Sequence, residues 1–307
     1  MAARPGWLLP AAFILLGLIW GSSFLWIKIA VDEIPPATLV AWRMTLGAVG
    51  MLLLLALIRV EWPRAARDWL PLVVLGAINA ALPIFLISWG EQYIDSGTAA
   101  VLNSLVPLFS LIIAGVALRT EPVNGLRVGG LLLGFIGAAL LASRELDLRA
   151  DASGLLGAGA VVLAAISYAA GASYATHRVG RSHRYVVAGG TLVFAAIDMW
   201  VLALIVDGGV VVPGRLDTIV AVLWLGLLGS FVAYVLFFFL IEHIGATMTT
   251  MVTYMFPVVG VALGVLLLGE RLDLRLFGGT ALVVAGIAIV TLRYDARVSR
   301  VPSGARE

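Results

Sequence analysis

Residues 257–286 read PVVGVALGVLLLGERLDLRLFGGTALVVAG, and residues 107–137 read PLFSLIIAGVALRTEPVNGLRVGGLLLGFIG. Both stretches open on a proline, run through apolar residues to a glutamate, and continue to a Gly-Gly pair and a further glycine. Working outward, Gly76, Pro107, Gly129, Gly130 and Gly137 recur as Gly226, Pro257, Gly278, Gly279 and Gly286. The offset is 150 for the first two pairs and 149 for the last three, so one residue was gained or lost between the proline and the paired glycines. The chain is a duplication.

Of its 307 residues, 62% are hydrophobic and 12% charged, whereas a soluble domain carries roughly 25% charged residues. That balance belongs to an integral membrane protein, with the lipid bilayer as its surroundings. The chain has no Cys, which removes disulfides, thiolate nucleophiles and Cys metal sites, and its 3 His leave little for a metal. No cofactor is expected. The formal charge of +2 is spread over loops and tails rather than one patch, a pattern of membrane topology and not of nucleic-acid binding.

A span needs about 20 apolar residues to cross a hydrocarbon core of about 30 Å. Ten segments qualify, near 8–30, 37–58, 69–90, 97–118, 124–142, 153–176, 185–206, 216–241, 246–268 and 274–293. The first follows Arg4 but is too long for a signal peptide and leads straight into Lys28. Five spans per copy is an odd number, so the second copy enters the bilayer upside down. The fold expected is all-α: ten transmembrane helices as two inverted five-helix repeats, 8–142 and 153–293, around a central cavity. A polar tail, 294–307, is read as disordered and cytoplasmic. With the N-terminus inside, 13 basic residues fall on the cytoplasmic side and 7 on the other. That bias places both termini in the cytoplasm.

No loop has room for a soluble catalytic or nucleotide-binding domain, so function must reside in the bundle. Polar and aromatic residues recur there at helical spacing: Trp20 and Ser23, Asn79 and Pro83, Asn103 and Pro107, Tyr168, Tyr234 and Phe237, and Thr250, Tyr254 and Pro257. These are the candidate substrate-binding residues, with Met248, Met251 and Met255 as a flexible apolar face. Taken singly, each stripe also fits ordinary helix packing. Together they suit a small zwitterion with a bulky apolar side chain, held without a large fixed charge. Buried acids mark ion coupling, and Asp198 reads as the acid well inside a span. Lys28 and Arg43 read as snorkelling anchors near Asp32 and Glu33 at the outer surface. Lys28, Glu91, Asp198 and His243 are the candidate coupling or gating groups, and protons the candidate coupling ion. The paired glycines read as packing seams.

The run from Pro257 through Leu268, Gly269, Glu270, Gly278 and Gly279 to Gly286 resembles the signature end of the EamA family of the drug/metabolite transporter superfamily. Trp20, Gly21, Ser22, Ser23, Phe24 and Lys28 resemble the opening of that family's first helix, and the likeness extends from about residue 8 to 293. Tyr168 stands where a Trp is common, and Thr120 precedes Glu121 where the second copy has Gly269 before Glu270. The resemblance implies a bacterial inner-membrane permease exporting small metabolites by alternating access, similar in layout to exporters of aromatic and other neutral amino acids. Purines and other metabolites remain alternative substrates, and a receptor or scaffold that binds without transport is the rival. An enzyme is not expected, since no His, Cys or paired carboxylates converge on Ser230 at mid-span.

Overall fold

Lipid offers a polypeptide backbone no hydrogen-bond partner, so apolar runs of this length fold as helices. The computed structural model describes residues 7–117, 124–149, 152–178 and 183–298. Nine helices among them are long and apolar enough to cross a membrane: α1 Leu8–Ala30, α2 Pro36–Ile58, α3 Leu70–Gly90, α4 Ser96–Gly115, α5 Gly125–Glu145, α6 Ser153–Arg178, α7 Arg184–Val206, α8 Leu216–Gly245 and α9 Met251–Leu268. The tenth, α10 Leu274–Val298, has a shorter apolar stretch, Leu274–Val290. Large apolar side chains on the outer faces, such as Leu57, Ile205, Leu266 and Leu274, are left exposed for lipid.

Four helices run past the ends read from hydropathy, α6 by only two residues, to Arg178. α5 continues as helix to Arg149 because Arg144 and Glu145 are buried between neighbours and do not open a loop. α8 extends to Gly245, whose φ of 82° stops it where other residues would be strained. α10 reaches Val298, so residues 294–298 of the expected tail are helical, and 299–307 lie outside the described residues.

The packing pattern survives exchange of the halves. Equivalent helices meet each other in the pairs α2 with α7, α4 with α9 and α5 with α10, while α1 packs on α8 and α9 as α6 packs on α3 and α4. Because each repeat has an odd number of helices, the two run in opposite senses.

The repeated landmarks sit where this symmetry requires close approach. A Cβ on Gly130 would lie 2.9 Å from the Gly286 carbonyl oxygen, and one on Gly137 would lie 2.7 Å from that of Gly279. Each glycine thus meets the counterpart of the other, as a two-fold seam between α5 and α10 demands. Gly76 of α3 packs against Phe194 of α7, and Gly226 of α8 against Leu46 of α2. Third and fourth helices are irregular in both halves. α3 carries a π-helical segment, Ala77–Ala81, and α8 another, Trp224–Val232. α4 breaks after Ser96–Asn103 and resumes at Val106, while α9 opens with a 3-10 turn, Met251–Tyr254. Pro107 and Pro257 therefore fall in the first turn of a new helical segment, where a missing N–H costs no intrahelical bond.

The seam makes a differential prediction. Gly137→Leu should destabilise the detergent-solubilised protein by about 1–3 kcal/mol through overpacking. Gly129→Leu, at a position with nothing within 4 Å of its Cβ, should stay within about 0.5 kcal/mol of the parent. Thermal melts of both variants check this, and equal losses would contradict the seam.

Candidate functional site

The site is built around the π segment of α8. Winding with i→i+5 bonds shifts the register of the helix and turns backbone carbonyls toward neighbours. The Gly229 carbonyl accepts the Trp20 indole N–H at 3.1 Å, and Ser230 Oγ donates back to Leu225 O at 3.1 Å. Ser23 packs against Gly229 and donates its hydroxyl to Ile19 O at 3.2 Å. The same device appears in the other half, where Ser167 of α6 donates to Ile78 O, in the π segment of α3, at 2.6 Å.

Gly47 lets α2 close on α8, since a Cβ there would meet the Ser230 Cβ at 2.7 Å. One turn away, Arg43 turns its guanidinium into the bundle and is only 6% exposed. Its Nε donates to Ser230 Oγ at 3.2 Å, and Nη2 makes a long contact of 3.5 Å with Gly229 O. Tyr168 on α6 and Tyr234 on α8, both half-buried, pack on the same core cluster as the α2 residues beside Arg43 and interact with its charge. Trp20 continues the aromatic wall, with its ring centroid 5.4 Å from Phe237 and 6.3 Å from Phe256.

Toward the end of the bundle opposite the two termini, Lys28 Nζ donates to the carbonyls of Glu91, at 2.5 Å, and Ile94, at 2.8 Å. The Glu91 side chain is fully buried and neither carboxylate oxygen accepts a hydrogen bond from any described residue. Its charged neighbours are Lys28, Glu270 and Arg43.

That distal end is closed by carboxylates lent from one repeat to the other. α2 and α4 have no side-chain cap of their own. Asp207 accepts from Thr38 N and Oγ1 at 2.9 and 2.7 Å. Glu270 accepts from Ser96 N and Oγ at 2.6 Å each and from Gly97 N at 3.0 Å. Both acids thus satisfy orphan amides at a helix N-terminus. Glu33 holds Gly214 N at 2.8 Å, and the buried Arg144 binds Asp95 at 3.0 Å, Asp273 at 2.7 Å and Arg271 O at 2.7 Å. Desolvation raises the Asp273 carboxyl, but the Leu276 amide and the Arg144 guanidinium outweigh it and hold the group below the ordinary carboxylate range.

Trp20, Ser23, Tyr168, Tyr234 and Phe237 are thus brought together, around a residue that sequence reasoning put elsewhere. Arg43 is not a snorkelling anchor, and the interior does carry a fixed charge, because Ser230 and Gly229 offer acceptors deeper in the bundle than the outer surface. Lys28 likewise turns inward, to carbonyls at the α3–α4 connection. Asn79 packs on Gly171 of α6, Pro83 is buried just past the π segment, and Pro107 and Pro257 follow the helix breaks. Asn103 is buried beside the α4 break, with its Oδ1 accepting no hydrogen bond from a described residue. Tyr254 donates its hydroxyl to Ile287 O of α10 at 3.3 Å, and the Thr250 side chain lies outside the described residues. Asp198 is half-buried rather than the deepest acid, a place taken by Glu91 and Glu145, and His243 is exposed with Nδ1 2.7 Å from Phe239 O of its own helix. The expected methionine face is not formed: Met248 is 48% exposed, and Met255 is seated on Gly17.

The sequence pattern of the EamA-like transporter family matches residues 8–143 and 155–292. Three bacterial relatives align over most of their length. A probable terminal-alkyne amino-acid exporter of Streptantibioticus cattleyicolor is 28% identical over 92% of this chain and 93% of its own. A probable amino-acid metabolite efflux pump of Escherichia coli is 26% identical over 90% and 92%, and an uncharacterized inner membrane transporter of that organism is 27% identical over 92% and 90%. A solved crystal structure superposes with a TM-score of 0.65 at 20% identity, covering 93% of this chain and 97% of that one, which establishes likeness of fold.

The Asp273 tie sets a pH dependence. A carboxyl held below its unfolded pKa stabilises above that unfolded value and loses the contribution as pH falls through the folded one. Asp273→Asn should therefore cost about 1 kcal/mol at pH 7, a modest figure because the side chain is 39% exposed and screened by solvent. The gap to the parent should close below about pH 4. Melts at neutral and acid pH check it, and a gap that stays constant would contradict the tie.

Proposed function

The chain belongs to the EamA-like transporter family, and from that membership we propose that it exports small metabolites, foremost amino acids with aromatic or other bulky neutral side chains. In this reading one interior site faces the two sides of a bacterial inner membrane in turn, and both termini lie in the cytoplasm. The observation that carries it is the aromatic contact of Trp20 with Phe237 at the junction of the two repeats, beside the buried Arg43 and the partly buried Tyr168 and Tyr234. Such walls bury an apolar side chain, while carbonyls, hydroxyls and charge nearby address its polar end. Its likeness to a probable terminal-alkyne amino-acid exporter and a probable amino-acid metabolite efflux pump supports amino acids as the substrate class.

Coupling in this proposal runs through protons and Glu91 rather than Asp198. A buried carboxylate with no hydrogen bond from described residues, with Glu270 beside it as well as Lys28 and Arg43, is the group in this part of the bundle that a proton neutralises most directly.

Purified protein in liposomes is expected to support counterflow of labelled L-phenylalanine that empty vesicles lack. Tyr234→Ala should lower that flux roughly 10- to 200-fold, the usual range for a pocket contact. No counterflow with any bulky neutral amino acid would overturn the substrate reading. For coupling, Glu91→Gln is expected to retain counterflow but lose the response to an imposed pH gradient. A response equal to the parent's would remove Glu91 from that role.

A further inference from the structure

We propose that Arg43 is the anion-recognition group of the interior site and that the transported class is defined by a carboxylate, which the guanidinium binds between Tyr168 and Tyr234. The inference rests on the transporter reading and names what the site selects.

Charge balance is the first argument. Three charged side chains turn inward in this part of the bundle: Lys28, Arg43 and Glu91. Lys28 is the foremost counter-charge of Glu91 and its ammonium already holds two carbonyls. Arg43 has no carboxylate among its hydrogen-bond partners, which are the hydroxyl of Ser230 and, at 3.5 Å, the carbonyl of Gly229. Glu91 is a charged neighbour but makes no hydrogen bond to it, and a buried ion hydrogen-bonded only to neutral acceptors carries part of its desolvation cost uncompensated. An anionic ligand offsets that cost, whereas a cationic one adds to it.

Donor geometry is the second. A guanidinium presents five N–H groups in a planar fork, and Ser230 and Gly229 engage it through Nε and Nη2. Nη1 donates to no described residue, and neither do the hydroxyls of Tyr168 and Tyr234, which pack on the same core cluster as the α2 residues beside Arg43 and interact with its charge. Three donor groups from α2, α6 and α8 are therefore left without a protein acceptor in this region, a set that suits the two oxygens of a carboxylate. The elements come from both repeats, so the anion would sit at their junction. The neighbouring wall of Trp20 and Phe237 is placed to take an apolar substituent on the same ligand.

The test uses full-length protein and three probes that share a phenyl ring: L-phenylalanine, 3-phenylpropionate, which keeps the carboxylate but lacks the ammonium, and L-phenylalaninamide, which lacks the carboxylate. Binding is read from ligand-induced shifts in the melting temperature of purified protein, and transport from competition with labelled phenylalanine in liposomes. The parent should favour both acids over the amide by at least about tenfold in half-saturating concentration. Arg43→Gln should erase that preference by weakening the acids and leaving the amide unchanged. Arg43→Lys, which keeps a point charge but not the fork, should retain part of it. Ligand-free melts of both variants report folding separately from selectivity.

Equal response of the parent to acid and amide would overturn the assignment, as would an acid preference that survives in Arg43→Gln, or no shift with either acid. Acid-selective binding without flux would keep the carboxylate site and remove the transporter reading. Flux without acid selectivity would do the reverse.

Discussion

Inside a membrane every backbone carbonyl needs a donor, and the centre of this protein is organised by two that accept one from a side chain. Gly229 O, in the π segment of α8, is held by Trp20 from α1. Ile78 O, in the π segment of α3, is held by Ser167 from α6. Each donor belongs to the opposite repeat, so satisfying the backbone also fastens the halves together at mid-bundle. The irregular helices and the junction are one feature, because an unsatisfied carbonyl at this depth would cost several kcal/mol. Arg43 and Ser230 enter the interior through the same opening in α8, which Gly47 makes close enough to reach.

Around that centre the contacts divide by character. The α5–α10 seam sets glycine against backbone, with the side chains of Leu141, Leu282, Val283 and Ile289 packed tightly around it. The distal end is different, held by Asp207, Glu270, Glu33 and Arg144 acting on amides, hydroxyls and charges of the other repeat. Polar ties of this kind exchange readily for water, whereas an interdigitated backbone seam does not. In the alternating access proposed above, the seam is the rigid spine and the distal ties are the mouth that opens and closes.

Much of this was legible in the chain itself. Apolar length alone placed every helix start but that of α9 within one residue of its observed position. Gly130, Gly137, Gly279 and Gly286 were legible as landmarks of the duplication and meet in the structure as the seam, and of the aromatic stripes Trp20 and Phe237 are in contact. Charge was misread. Hydropathy treats an arginine seven residues into α2 as an interfacial anchor, yet its acceptor Ser230 is 187 residues away. Arg144 and Glu145 looked like a helix end for the same reason, because their partners Asp273 and Thr98 come from other helices and connections. Whether a polar side chain faces lipid, water or a neighbour is decided by tertiary packing, and local pattern carries no record of it. A Gly one turn from an Arg within a span is the single local sign that could have pointed inward.

The central claim is that one interior site, lined by both repeats, opens to each membrane face in turn. The native chain has 0 Cys, so a single thiol placed by Phe237→Cys reports access without background. In oriented vesicles a membrane-impermeant thiol reagent applied to either face should label it, and a bulky neutral amino acid should slow labelling from both. Labelling from one face only, or at a rate the amino acid does not alter, would contradict the account.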